Sequence, residues 1–373
     1  AHVLRHGILK PKKIDKKIER ANSFNKNFDF LSELQQSNPF RFFKSLFPPS
    51  SEYKRLMKEK HRLEKLLANG GWGALITVNK LSVGEQGGNV ALLRNRLISM
   101  GYLLPTYSSL YDLPLVKAVK EFQSDNGIPS DGSANQRTLN LINVKVEERL
   151  KSVLVAMERE RWSRTLHNDR HVVVNLTDFT AKIIDSGKVT FETKAIIGFD
   201  DLNRRSPEFS DILEFMVVNP SWYVPRSIAV QEYLPMLKVN SNAVNFLELR
   251  DSIGNIIQRD EVDFSNFDQD TFPYSMRQPP SVTNALGLVK FMFPNKNNIY
   301  LHDTPSKRLF ELDVRAFSHG CIRLNDPFGF AFALLAVQSD DPISLFHFAL
   351  DTQKEVKIML KKPIPIHLIY RTA

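Results

Sequence analysis

The spacing of apolar residues along this chain changes period near residue 165, and that change constrains the architecture more than any other feature. Before it, apolar residues recur at helical spacing: Leu56, Leu63, Leu66 and Leu67 within 53–68, then Val90, Leu93, Leu97 and Ile98, then Val116, Val119 and Phe122. Each set forms one stripe on a helix of 3.6 residues per turn. After it, His171-Val172-Val173-Val174-Asn175-Leu176 and the segments 188–197 and 214–219 read as strands, separated by Asp185-Ser186-Gly187, Gly198 and polar turns. Strands resume at 286–293 and 299–301, and helix returns after Asp326. The pattern predicts a multidomain α+β chain, helical first and mainly β afterwards.

Four regions follow. Residues 1–79 are Lys/Glu-rich and read as a helical scaffold, with Phe40, Phe42, Phe43 and Phe47 too densely aromatic for a disordered tail and a helix stop at Asn69-Gly70-Gly71. Residues 80–145 hold three short helices with corners at Gly101-Tyr102 and Gly127-Ile128-Pro129-Ser130-Asp131-Gly132. Residues 146–168 form a charged connecting helix that ends near Arg161-Trp162, and 169–373 form the mainly β domain. Within that domain the strand pattern lapses over 224–281, where Tyr233, Pro235, Phe246 and Leu247 supply enough apolar content for partial order. An insertion of this length reads as a lid over a site, with a disordered spacer as the alternative.

Composition narrows the function. The net charge of +9 sits largely in Lys10 to Lys26 and Lys54 to Lys65, which read as solvated helix faces. Without zinc-finger spacing or an RNA-recognition aromatic motif, nucleic acid is not the expected partner, whereas an anionic polymer such as a bacterial cell wall suits a basic surface. The longest apolar stretch, 328–337, is shorter than the ~20 residues a bilayer requires. The N-terminus does not resemble a signal peptide, so a secretion signal would already have been removed. His167 and His171 lie four apart with no glutamate or third ligand at metalloprotease spacing, and both read as surface residues.

The chemistry concentrates in Phe317-Ser318-His319-Gly320-Cys321-Ile322-Arg323-Leu324, which contains the sole cysteine. One cysteine rules out an intramolecular disulfide and is compatible with cytosol or periplasm. A thiol is a useful nucleophile as thiolate, and a nearby imidazole or cluster of backbone N–H groups stabilises that anion. Ser-His-Gly-Cys places a histidine two residues away, and Ile299-Tyr300-Leu301-His302-Asp303-Thr304-Pro305 supplies another. A lone cysteine with separate histidines is the pattern of a Cys/His acyl-transfer site. The alternative is a buried structural thiol, which the polar neighbourhood outweighs.

Two resemblances sharpen this reading. Val90, Leu93, Leu97, Gly101-Tyr102, Ala118-Val119, Phe122-Gln123, Gly127, Asp131-Gly132 and Thr138-Leu139 resemble, in order and spacing, the three-helix peptidoglycan-binding module. His302, the intervening 303–317 and Ser318-His319-Gly320-Cys321 resemble the L,D-transpeptidase (YkuD) family. The runs Asn219-Pro220-Ser221-Trp222-Tyr223-Val224-Pro225-Arg226-Ser227-Ile228, Asn284-Ala285-Leu286-Gly287-Leu288-Val289-Lys290-Phe291 and Tyr300–Pro305 are similar to the larger, YcbB-like members of Gram-negative bacteria. The chain departs from them in its shorter, divergent N-terminal scaffold and in stopping at Tyr370-Arg371-Thr372-Ala373.

The resemblance implies a YkuD-like catalytic fold and two-step acyl transfer without metal or organic cofactor. Cys321 attacks a donor tetrapeptide stem, expels D-alanine and passes the acyl group to an acceptor stem as a 3→3 cross-link. His302 is then the general base and acid, with His319 as the alternative base or an organiser of the loop. The amides of Gly320 and Cys321, with Tyr300, provide an oxyanion hole. Ser318 lines the substrate side, and Arg323 binds a substrate carboxylate or supports the loop through an ion pair. Trp222 and Tyr223 wall the donor groove or belong to the core. The implied partners are stem peptides, β-lactams of the carbapenem class and cell-wall synthesis proteins, and the implied location is the periplasm of a Gram-negative envelope. Water or a lipoprotein lysine as acceptor, a silent wall-binding protein and a papain-type protease are the competing readings. The last is disfavoured because its cysteine lies near the start of the mature chain.

Overall fold

The computed structural model describes residues 2–20, 32, 34, 35, 38–162 and 169–372. Lys26, His167 and the end of the connecting segment at 163–168 lie outside the described residues. The chain divides into two compact units, one of residues 1–16, 20–167 and 371–373 and the other of 17–19 and 168–370.

In the first unit, helix α1 (Ser51–Ala68) begins where the Ser50 hydroxyl accepts from the Tyr53 amide at 3.1 Å. The 3–4 spacing of Tyr53, Leu56 and Leu63 puts them on one face. Helices α2 (Gly88–Met100), α3 (Leu113–Asp125) and α4 (Gln136–Ile142) follow. Helix α5 (Val146–Trp162) returns beside α1, packing Val146, Val153, Ala156 and Met157 into a shared apolar cluster.

Helices α2 to α4 enclose a core of Val90, Leu93, Leu97, Leu115, Val119, Phe122, Leu139 and Ile142. Gln123, on the inner face of α3, staples the loop that leads to α4. Its Nε2 donates to Asp131 Oδ1 (2.8 Å), the Ser133 carbonyl (3.0 Å) and Thr138 Oγ1 (3.0 Å), and its Oε1 accepts from the Gly132 amide (2.8 Å). A fully buried amide needs such partners, because each unsatisfied polar group costs roughly 1–3 kcal/mol.

The second unit is a nine-stranded sheet among the described residues, ordered β10-β3-β11-β9-β8-β4-β12-β1-β2. Its strands are β1 (Arg170–Asn175), β2 (Thr180–Asp185), β3 (Lys188–Gly198), β4 (Phe209–Val218), β8 (Val289–Met292), β9 (Leu301–His302), β10 (Ala316–Ser318), β11 (Ile322–Leu324) and β12 (Val356–Ile369). Strand β2 also pairs with β3, so the sheet closes on itself. Alternate residues (Val172, Val174, Ala181, Ile183, Phe291, Leu301, Ile322, Leu324, Ile366 and Leu368) share one apolar cluster. Helix α6 (Pro327–Leu335) adds Phe330, whose ring meets Phe291 edge-on at 4.8 Å. Burying a phenylalanine this completely contributes roughly 2–3 kcal/mol.

Two sequence readings change here. His171, expected at the surface, is buried on β1 with its ring 5.6 Å from that of His367. Its ring is covered by neighbouring side chains, among them that of His367 on β12, the strand paired with β1. The lapse in strand pattern at 224–281 is an ordered module rather than a spacer. It has its own three-stranded sheet, β5-β7-β6, of Trp222–Tyr223, Ser275–Gln278 and Glu248–Arg250. Its separate core contains Leu234, Leu237, Val244, Leu247, Phe264, Phe272 and Met276. Strands of two to four residues are too short to announce themselves by alternation.

If Gln123 is the staple described, Gln123→Leu should weaken the α2–α4 bundle by about 2 kcal/mol. Amide exchange within 88–142 should then accelerate roughly thirtyfold while exchange in α1 is less affected. Unchanged exchange would mean that the apolar core alone holds the loop.

Candidate active site

The site begins with a register. Strands β9 and β11 pair in parallel, Leu301 against Ile322 and His302 against Arg323. Leu301, Ile322 and Leu324 face the core and are completely buried. Side chains alternate along a strand, so Tyr300 and His302 project to the opposite face from Leu301. Cys321 and Arg323 likewise project opposite to Ile322 and Leu324. Strand β8 adds Lys290, the registered partner of His302. One face thereby gathers a thiol, a phenol, an imidazole and two cationic side chains that are far apart in sequence.

The loop that carries Cys321 is shaped by close backbone approach. Between β10 and β11 the chain crosses the end of β3, which pairs with both. A Cβ added to Gly198 would stand 2.0 Å from the Arg204 carbonyl oxygen and 3.0 Å from Gly320 Cα, and Gly320 itself has φ +118°. Neither position has room or conformational freedom for a larger residue. Ser206 Oγ ties the two segments, accepting from the Gly198 amide (3.0 Å) and donating to the Gly320 carbonyl (2.7 Å). Ser318 Oγ accepts from the Gly320 amide (3.1 Å) and donates to the Cys321 carbonyl (2.5 Å).

His302 is buried, and its Nδ1 donates to the Asp303 carbonyl oxygen at 2.5 Å, which leaves Nε2 as the ring's proton acceptor. Burial first, then the charges of Arg323 and Lys290, pull its pKa down to about 3, so the ring is neutral at ordinary pH. Asp303 is fixed in turn: its carboxylate accepts from the Leu288 amide (2.9 Å) and from Lys307 Nζ (2.8 Å). That carboxylate fits only because residue 287 is glycine, where a Cβ would lie 2.2 Å from Asp303 Oδ2.

Cys321 is half-buried, and its thiol contacts the Asn298 carbonyl oxygen at 3.6 Å. Burial pushes its pKa up to about 11, against the opposing pull of the Tyr300 amide and hydroxyl and of Arg323. In the resting protein the thiol and the imidazole are therefore both neutral. Arg323 makes no hydrogen bond or ion pair among the described residues, and its buried Nε lacks a partner. Burial lowers its pKa and that of Lys290, the latter partly restored by Glu355.

The structure brings Cys321, His302, Tyr300 and Arg323 together, and it revises the remaining expectations. The Gly320 amide is engaged by Ser318, so it is not an open oxyanion donor. Ser318 is buried with its hydroxyl used on both sides, so it organises the loop instead of meeting a substrate. Trp222 is 9% exposed, packed edge-on against Tyr233 inside the module, and does not wall a groove. Tyr223 is 66% exposed, with the Arg277 guanidinium over its ring. The ion-pair reading of Arg323 finds no partner among the described residues. His319 turns to the module, its Nε2 2.6 Å from Glu232 Oε1.

Sequence reasoning missed Lys290, Asp303, Asn298 and Glu232. Asn298 adopts φ +51°, held by a loop that Asn295 knits through the Phe293 and Ile299 carbonyls. The run Asn295-Lys296-Asn297-Asn298 was a turn signal that could have pointed to it.

A family model described as the L,D-transpeptidase catalytic domain (YkuD) matches residues 169–358. A second, described as "Putative peptidoglycan binding domain", matches 86–142. The first covers more than half of the chain, and with the site just described the chain belongs to the L,D-transpeptidase (YkuD) family. A curated relative from Haemophilus influenzae, named "Putative L,D-transpeptidase", is 30% identical over 218 residues, which is 58% of this chain and 43% of the relative. The chain thus spans less than half the length of that relative.

Among solved structures, an L,D-transpeptidase from Stackebrandtia nassauensis is 14% identical, with 79% of this chain and 98% of that one covered at a TM-score of 0.27. One from Mycobacterium smegmatis is 13% identical, with 54% and 58% covered at a TM-score of 0.26. Superpositions this loose carry no weight for the chemistry.

The electrostatics yield a measurable expectation. Burial favours the neutral thiol, so alkylation of Cys321 by iodoacetamide in the free protein should rise with pH toward a midpoint of about 11. An unperturbed cysteine would give ~8.5. A plateau reached by pH 9 would show that the Tyr300 and Arg323 contributions outweigh burial.

Proposed function

We propose that this protein is a cysteine L,D-transpeptidase that cross-links peptidoglycan stem peptides through a thioester on Cys321. The observation that carries the reading is a lone thiol and an anchored, neutral imidazole on the same face of two paired strands, beside a guanidinium with no partner among the described residues. His302 Nε2 takes the thiol proton as Sγ attacks the carbonyl of the third residue of a donor tetrapeptide. The C–N bond breaks, and the imidazolium returns the proton to the departing D-alanine amine. An imidazolium so disfavoured by its surroundings is a strong acid, which suits that second role.

The Cys321 amide and the Tyr300 hydroxyl are the candidate donors to the tetrahedral oxyanion, and such donors contribute a few kcal/mol. Arg323, assisted by Lys290, suits a carboxylate of the donor stem, because a half-buried guanidinium whose buried Nε has no partner among the described residues gains from an arriving anion. The amine of an acceptor stem's diamino acid then resolves the thioester as a 3→3 cross-link. The helical region 80–145 serves to hold the wall polymer, and the periplasm of a Gram-negative envelope suits a reaction that needs no ATP. A strained β-lactam carbonyl of the carbapenem class should acylate the same thiol.

Incubation with purified disaccharide-tetrapeptide, followed by mass spectrometry, tests the reading. The parent protein should release D-alanine and form cross-linked dimers. Cys321→Ala should do neither and should take up no carbapenem adduct, yet keep its fold, because the thiol is only half-buried. Dimers formed by that variant at the parent rate would remove Cys321 as nucleophile.

The module at 224–281 suits a cover that keeps water from the thioester while an acceptor arrives. Joining Pro225 to Ser275 through a short glycine-containing turn preserves the β5–β7 pairing and removes the cover. The tripeptide-to-dimer product ratio should then rise severalfold with Cys321 still acylated. An unchanged ratio would mean that the module does not shelter the intermediate.

A further inference from the structure

We propose that His319 and Glu232 form a second acid–base pair that receives the proton of the incoming acceptor amine, while His302 serves the thiol. The inference rests on the transpeptidase reading above and assigns its second half-reaction. His319 Nε2 lies 2.6 Å from Glu232 Oε1, and the two side chains are 35% and 44% exposed. With Nε2–H donating to the carboxylate, Nδ1 carries the lone pair and makes no hydrogen bond among the described residues. His302 has the complementary arrangement: Nδ1 donates to the Asp303 carbonyl, Nε2 carries the lone pair, and the ring is buried. Each histidine is thus oriented by one fixed acceptor, the arrangement a positioned base requires.

The electrostatic surroundings separate the two roles. At neutral pH the acceptor arrives as an ammonium, with an amine pKa of ~10.4, and must lose a proton before it can attack. His302 stands between Arg323 and Lys290, registered partners on the adjoining strands, and this cationic row repels an ammonium. His319 stands beside a carboxylate at a partly open rim, which attracts one. The groups around His319 are Glu232 from the module, the Arg204–Asp201 pair (2.7 Å) behind Phe199, and Cys321 in its own loop. Phe199 holds the imidazole edge-on, with ring centroids 6.3 Å apart at 84°. Glu232 lies in the π-helical turn Ala229–Tyr233, an irregularity frequent at functional sites.

His319 Nδ1 takes one proton from the ammonium, and Glu232 stabilises the resulting imidazolium. The freed nitrogen lone pair forms a C–N bond to the thioester carbonyl as the C–S bond breaks. Sulfur keeps that electron pair, and the second amine proton passes to it, regenerating the thiol. In this scheme Glu232 is a positioning residue that acts through His319.

The test reads how one preformed acyl-enzyme partitions between two acceptors, so any change in acylation rate cancels. The acceptors are a tripeptide stem with a free diamino-acid amine and hydroxylamine, which is already neutral at pH 7. His319→Gln should lower the stem-to-hydroxylamine ratio about a hundredfold and Glu232→Gln about tenfold. Raising the pH should restore the ratio in both variants, because deprotonated amine then arrives unaided. A parental ratio in both variants, or a reduced ratio that pH does not restore, would overturn the proposal and leave the contact as a structural tie. Should His319→Gln fail to fold, Glu232→Gln carries the same measurement. Failure of the parent protein to form an acyl-enzyme from tetrapeptide would instead sink the transpeptidase reading.

Discussion

The parallel register of β9 and β11 is the constraint on which the site depends, because it sets which side chains can meet. His302 opposite Arg323 puts Tyr300 and Cys321 on the same face and leaves Leu301, Ile322 and Leu324 in the core. A slip of one residue would exchange those sets, turning the imidazole and thiol toward the apolar core and Leu301, Ile322 and Leu324 away from it. The core and the chemistry are therefore selected by the same pairing. The closed sheet explains why the register holds: β11 is fixed on its other side by β3, and β9 by β8.

That arrangement sets the electrostatics. Lys290, His302 and Arg323 occupy neighbouring strands in one row, and burial keeps the imidazole and thiol neutral in the absence of substrate. A neutral pair avoids the cost of a buried thiolate in the resting protein. Arg323, whose buried Nε has no partner among the described residues, pulls the thiol's pKa down against the larger effect of burial.

The module at 224–281 gives the second unit a separate apolar core beside the catalytic sheet. Tyr300 packs against both clusters, and Glu232 reaches from the module to His319. Those two residues link the inserted module to the loop that bears Cys321. The connection gives the insertion a physical route to influence that loop.

Much of this was readable from the chain alone. The change from 3.6-residue to two-residue periodicity separated helical from mainly β regions. The interval between His302 and Ser318-His319-Gly320-Cys321 carried the resemblance to the L,D-transpeptidase family, because that resemblance lies in short motifs and their separation. The order of Phe122-Gln123, Gly127, Asp131-Gly132 and Thr138 pointed to the small helical bundle, where Gln123 proved to bind the loop those residues form. Tertiary structure decided what depends on partners distant in sequence. Lys290 belongs to the site through strand register, Ser318 and Trp222 leave it through burial, and Glu232 meets His319 across 87 positions. Alternation tells which residues share a face, but only pairing tells which faces meet, since a strand carries the same pattern in every register that keeps its apolar side inward.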